Sequence, residues 1–154
     1  CCHLWPVLCF LANAEVEMAV SSIAHPGLKP LRSVNIVLVE DNEDIRESMT
    51  LLLVANGATV TAVGAAREAL DLLEWMKPDI IMSDLGLPGE SGMTMIRKLR
   101  ARGSERGGDI PAIAVTAYTD WLQESLAAGF QASFRKPADP RALIASIRKI
   151  LGRD

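Results

Sequence analysis

After Cys9 the chain has no cysteine, and the three it does have, Cys1, Cys2 and Cys9, are crowded at its start. No disulfide framework can therefore hold the remaining sequence together. The only imidazoles, His3 and His25, are not spaced with those thiols as a zinc site needs. Aromatic residues are scarce at 5%, and the apolar content rests instead on Ala, Val, Leu and Ile, which suits an α/β protein. Positive charge is not in excess. A net charge of −3 removes the electrostatic case for direct nucleic-acid binding and gives no reason to expect contact with an anionic membrane. An uninterrupted apolar run is also missing. Pro6, Asn13, Glu15 and Glu17 break the first twenty residues, which rules out a membrane span there. A signal peptide is not expected, because no basic residue precedes Lys29 and Glu15 and Glu17 sit where a cleavage region would lie. A reducing, cytoplasmic setting is the simplest expectation.

At 154 residues the chain has room for one domain with a substantial core and too little for two. Residues 1–33 read as a disordered tail or linker, with a short helix between Leu8 and Ser21. His25-Pro26-Gly27 and Lys29-Pro30 mark its end, and residues 34–154 read as the folded domain.

From Val34 onward the pattern is regular. Val34 to Val39 (VNIVLV) is the short β-branched run of a strand covered on both faces. Ile45, Met49, Leu52 and Leu53 then share one helical face, closed by Asn56-Gly57. Thr59 to Val63 is a second strand. Ala66, Ala69, Leu70 and Leu73 stripe a second helix, which is stopped near Lys77 by Pro78. Ile80 to Ser83 is a strand and Ser91 to Arg102 a helix. Ile110 to Val115 is a strand, and Asp120 to Ala128 a helix closed by Gly129. Ala132 to Phe134 is a short strand. Leu143, Ile147, Ile150 and Leu151 line the last helix, with Asp139 as its cap and Pro140 at the first helical position. This alternation demands a parallel sheet with right-handed crossovers and helices on both faces.

In such a sheet, function gathers at the carboxyl ends of the strands. Four of the five strands end in a residue able to do chemistry: Glu40-Asp41, Asp84, Thr116 and Lys136. Singly, each has an ordinary reading. Glu40 and Asp41 favour a helix N-terminus; Asp84 before Leu-Gly-Leu-Pro-Gly forms a turn; Thr116 is an ordinary strand-end residue, and Lys136 before Pro137 is ordinary surface. Tyr118 and Trp121 read as half-buried packing. Arg97, Lys98, Arg100, Arg102 and Arg106 read as the wet side of a helix and the loop after it. Together, the strand-end residues converge. Three carboxylates in one crevice repel each other, and a hard divalent cation such as Mg²⁺ relieves this. Asp84 can then act as a nucleophile toward phosphorus, with positive charge from the metal and Lys136, a hydroxyl donor in Thr116, and room beside it left by Ala117.

In order and spacing, Ile36–Asn42 (IVLVEDN), Pro78–Gly92 (PDIIMSDLGLPGESG), Ala114–Tyr118 (AVTAY) and Phe134–Pro137 (FRKP) resemble the receiver domain of two-component response regulators. The resemblance runs over about residues 34 to 152. It implies a flavodoxin-like (βα)5 three-layer sandwich with sheet order 2-1-3-4-5. Asp84 would be the phosphoacceptor, with Thr116 and Lys136 gripping the phosphoryl group. Mg²⁺ would be held by Asp41, by Asp84, by the main-chain carbonyl of Gly86, and by Glu40 through water. The partner implied is a histidine kinase or histidine phosphotransfer domain. The domain would signal rather than work as an enzyme, assisting only its own phosphorylation and dephosphorylation. The Lys-Pro bond is commonly cis in this family. The segment GFQASFRKPADPRAL is further similar to the receivers at the C-terminus of hybrid histidine kinases.

Two departures stand out. Glu40 replaces the commoner Asp and keeps its charge. Ser133 stands where many members carry the Tyr or Phe that swings inward on activation, and Phe134 has the wrong parity to substitute. Two alternatives belong to other classes: a receiver-shaped scaffold that works without phosphorylation, and a hydrolase with an aspartyl-phosphate intermediate. The second would need another acid two residues after the nucleophile, where Gly86 stands.

Overall fold

A computed structural model describes Gly27 and residues 29–153. The helix expected between Leu8 and Ser21, and most of the expected tail, lie outside those residues. The order of elements is β1 (Asn35–Val39), α1 (Glu43–Ala55), β2 (Thr59–Val63), α2 (Ala66–Leu72), β3 (Ile80–Ser83), α3 (Gly92–Arg100), a 3₁₀ turn at Ser104–Arg106, β4 (Ala112–Thr116), α4 (Trp121–Ala128), β5 (Ala132–Arg135) and α5 (Pro140–Ile150). The five strands make one sheet in the order β2-β1-β3-β4-β5, and every neighbouring pair is parallel. This is the flavodoxin-like topology that the resemblance implies.

Because successive strand side chains point to opposite faces, each strand feeds two cores. Val37, Val39, Ile81, Ala112 and Ala114 pack with α2, α3 and Phe130. Ile36, Leu38, Ile80, Met82, Ile113 and Val115 pack with Leu53, Leu143 and Ile147 of α1 and α5. Covering on both sides is why these strands are apolar at nearly every position rather than at alternate ones.

Helix ends follow local chemistry. The Asn42 side chain accepts from the Ile45 amide at the start of α1. At its far end Gly57 takes φ +102°, with Gly57 N–H donating to Val54 and Ala58 N–H to Leu53, a Schellman stop that favours glycine. Asp139 caps α5 by accepting from the Arg141 amide, with Pro140 in the first turn.

Several expectations need correction. Helix α2 stops at Leu72, short of Lys77. The amides of Glu74 and Trp75 donate three residues back to Asp71 and Leu72, tightening the chain into a turn before Pro78. Along the α1 stripe only Leu53 is fully buried, and Ile45 is exposed. The ordered packing begins ahead of Val34: Leu31 is fully buried, and its amide donates to the Asn56 carbonyl. Two of the five basic residues are ties rather than wet surface. Arg100 donates to the carbonyls of Gly108 and Gly129, and Arg102 donates to the Leu70 carbonyl and pairs with Glu74. Among the described residues no helix is long and apolar enough to cross a membrane.

Candidate functional site

Parallel strands bring all their carboxyl ends to one edge, and the backbone ladder carries past those ends. The Glu40 amide donates to the Val63 carbonyl, the Asp84 amide to Val39, and the Lys136 amide to Thr116. Each bond fixes the residue just beyond one strand against the end of its neighbour. Three side chains remote in sequence are thereby aimed into one crevice.

Their contacts are direct. The Lys136 ammonium donates to Glu40 Oε2 at 2.6 Å and to Asp84 Oδ2 at 3.1 Å. Carboxylate oxygens of Glu40, Asp41 and Asp84 all lie within 4.8 Å of one another. Glu40 is only 4% exposed, Asp84 is half-buried and Asp41 open to solvent. Burial pushes the Glu40 carboxyl above the ordinary glutamate range, and the charge of Asp84 adds to the rise. Hydrogen bonds from Lys136 and the Asn42 amide offset this only in part. For Lys136 burial acts downward, but the bonds to Glu40 and Asp84 outweigh it and the ammonium is held above its usual value. The Lys136–Pro137 bond is cis, as the resemblance implies.

The loops around the acids are braced. Arg46, one turn into α1, donates to the carbonyl of Glu40 at 2.9 Å. Sequence reading passed over this residue; a cation one turn behind an acidic strand end was the available signal. The Ser83 hydroxyl donates to the Asp84 carbonyl at 2.7 Å. A Cβ on Gly92 would collide with that same carbonyl oxygen, so the start of α3 can lie this close only with glycine there.

Thr116 is fully buried. Its Oγ1 accepts from the Tyr118 amide at 3.1 Å. Gly86 is joined to the acids through its N–H, which donates to Asp84 Oδ1 at 3.2 Å. Tyr118 is not half-buried as expected but 54% exposed. Its ring lies 3.1 Å from the place a Gly86 Cβ would occupy, and it stacks on Trp121 with centroids 4.3 Å apart. The Ser133 Oγ is buried without a hydrogen-bond partner.

Glu40, Asp41, Asp84 and Lys136 thus meet as the sequence anticipated, with Thr116 and Gly86 tied in through neighbouring bonds. Three carboxylates face one ammonium. A site with excess negative charge, all-oxygen donors and one solvent-open acid fits a hard divalent cation that keeps some of its water.

Known proteins resemble this chain in sequence and in fold. The family profile for the response regulator receiver domain matches residues 36–148. A 14.6 kDa protein from the sodA1 3′ region of Leptolyngbya boryana is 36% identical over 79% of this chain and 93% of its own length. The DNA-binding response regulator MtrA of Mycobacterium tuberculosis H37Rv is 31% identical over 77% of this chain, which spans about half of MtrA (51%). Among solved structures, the receiver domain of the sensor histidine kinase PA1611 from Pseudomonas aeruginosa PAO1, with a magnesium ion coordinated in its active-site cleft, superimposes with a TM-score of 0.70. It is 30% identical and covers 77% of this chain and 98% of its own.

Proposed function

The chain belongs to the response regulator receiver domain family, and from that premise we propose that Asp84 accepts a phosphoryl group from a phosphohistidine of a histidine kinase or histidine phosphotransfer domain. The observation that carries the proposal is the meeting of Glu40, Asp41 and Asp84 within 4.8 Å, with Lys136 bonded to two of them. A structural ion pair would need one carboxylate. Three around one ammonium are costly unless a second positive group joins them.

In this reading Asp41, Asp84 and the Gly86 carbonyl hold Mg²⁺ directly, and Glu40 does so through water. When bound, Mg²⁺ supplies the charge that lets the three acids coexist and the phosphoryl oxygens approach. The chain's own groups do the rest. A carboxylate oxygen of Asp84 forms the new P–O bond as the donor's P–N bond breaks, and the departing imidazole takes up a proton. Lys136 exchanges its bond to Asp84 for one to a phosphoryl oxygen. The Thr116 hydroxyl has one donor and two lone pairs. It can give its proton to another phosphoryl oxygen while still accepting from Tyr118. The product carries about −1.5 to −2 charge by analogy with other phosphorylated side chains.

Access for a protein donor is supported by the surface beside the site. A groove of about 490 Å³, lined by Ile45, Met49, Leu52, Pro137 and Ala138, opens at Lys136. Leu51 and Val54 are further exposed apolar residues of α1. A helical phosphotransfer surface seated there would bring its histidine to the mouth of the crevice. The setting is cytoplasmic, and the role is to signal by changing partner contacts, not to turn over a substrate.

Incubation with acetyl phosphate and Mg²⁺ tests the proposal. The intact mass should rise by one phosphoryl group, and EDTA or Asp84→Asn should abolish the rise. A mass gain that persists in Asp84→Asn, or none in the wild type, refutes it.

A further inference from the structure

Ser133 pairs in register with Ala114, so its side chain lies on the sheet face where Ala114, Leu85 and Met95 pack and against which Trp121 rests. A hydroxyl this small, buried without a partner, gives that face no bulky group to move in or out. If the site signals, something else must report its state. The aromatic groups tied to the site by direct contact are Tyr118 and Trp121.

Tyr118 touches the site in two ways. Its amide donates to Thr116 Oγ1 at 3.1 Å, the oxygen that under the proposed function also donates to a phosphoryl oxygen. Its ring packs over Gly86, whose own amide donates to Asp84 Oδ1. A change at Thr116 can reach Tyr118 through one hydrogen bond, and a change at Asp84 through the Gly86 amide bond and the ring packed on Gly86. Tyr118 is mostly solvent-exposed and can turn without opening a core. It stacks on Trp121 at a 38° inclination, and Trp121 is the first residue of α4. Asp120 makes no side-chain capping bond, and the start of α4 is held instead by the main chain, the Trp121 amide donating to the Tyr118 carbonyl and the Leu122 amide to Thr119.

We infer that the stacked Tyr118–Trp121 pair, rather than a side chain on β5, carries the phosphorylation state of Asp84 to the start of α4. The inference rests on the phosphoacceptor reading and adds to it the route by which the site is read. Partners sensitive to the state of the domain would then contact the Tyr118–Trp121 edge.

The test follows phosphoryl uptake and tryptophan emission in parallel on the full chain, with acetyl phosphate and Mg²⁺. Mass spectrometry reports the chemistry, and the difference between wild type and Trp121→Phe isolates Trp121 from Trp5 and Trp75. Mass gain should be accompanied by a change in Trp121 emission. Tyr118→Ala should take up the phosphoryl group yet lose most of that change, and Tyr118→Phe, which keeps the ring, should restore it. Should Tyr118→Ala not fold, the comparison of wild type with Trp121→Phe still decides. Mass gain with unchanged Trp121 emission, or a full emission change in Tyr118→Ala, overturns this inference alone. Absence of mass gain in the wild type removes the phosphoacceptor reading and this one with it.

Discussion

Replacing Lys136 with Met deletes the one cation among three acids while keeping most of the side chain's bulk. The Lys136 side chain is 19% exposed, and those of its partners Glu40 and Asp84 are 5% and 10% exposed. Removing one member of a buried pair costs about 3–5 kcal/mol, chiefly because the other charge is left uncompensated. Two features bring the figure down here. Glu40 retains the Asn42 amide, and burial has already pushed its carboxyl above the ordinary glutamate range, which lowers the cost of protonating it. A loss of roughly 2–3 kcal/mol without metal is the expected result, which for a domain of this size is a fall in Tm of about 6–12 °C. Mg²⁺ should shrink that gap. A cation that binds only the folded chain stabilises it by RT ln(1 + [L]/Kd), about 1.4 kcal/mol at ten times Kd. The variant site, with three acids and no ammonium, attracts the cation more strongly than the wild-type site does. Thermal or urea unfolding of both proteins in EDTA and in saturating Mg²⁺ measures all four values. Equal stability in EDTA would show that the Lys136 bonds contribute nothing. A gap that Mg²⁺ leaves untouched would show that the three acids do not form one cation site.

Further outcomes follow from the same geometry. Since Lys136 is held above its ordinary value of 10.5 in the folded state, its contribution is complete below the unfolded pKa and lost as pH rises through the folded one. Wild type should therefore lose stability relative to Lys136→Met above pH 10.5, and parallel alkaline limbs would contradict the bonding. Gly92→Ala should cost about 1–3 kcal/mol, because the colliding atom is the Asp84 carbonyl oxygen on the main chain and cannot swing aside. Mg²⁺ affinity should weaken with it, and an unchanged unfolding midpoint and affinity would show that the two segments are not in contact. Ser133→Ala should be neutral or stabilising by up to about 1 kcal/mol, since the lost hydroxyl is buried and unpartnered. A clear destabilisation in urea would reveal a partner for it.

What the sequence could reveal depended on whether the signal was carried by a residue's own type. The strands were legible because covering on both faces leaves a run such as Ile36 to Val39 no polar position. The site was legible because all strands in a parallel sheet end on the same edge, so chemistry-bearing residues after successive apolar runs must converge. The ties made by Arg46, Arg100 and Arg102 were hidden for the opposite reason. Their acceptors are main-chain carbonyls of Glu40, Gly108, Gly129 and Leu70, and every residue has a carbonyl, whatever its side chain. Leu31 was hidden by its surroundings, because Pro30, Arg32 and Ser33 beside it carry the marks of a loop rather than of a core segment.

The exposure of Tyr118 has a further physical meaning. A Tyr ring two residues past a strand end was expected to pack, because an aromatic surface gains from burial. Here the ring lies beside the acidic crevice, which under the proposed function must stay open to a phosphoryl donor. The ring instead covers Gly86 and stacks on Trp121, recovering part of the lost burial through two shallow contacts. Gly86 is thereby constrained twice: a larger side chain there would meet Tyr118, and its amide is already committed to Asp84. An alanine at position 86 should push Tyr118 outward while leaving that amide bond in place. If the ring shields the crevice from water, the phosphoryl group on Asp84 should then be lost several-fold faster in Gly86→Ala than in wild type at equal Mg²⁺. Equal decay rates would mean that the ring only rests beside the site.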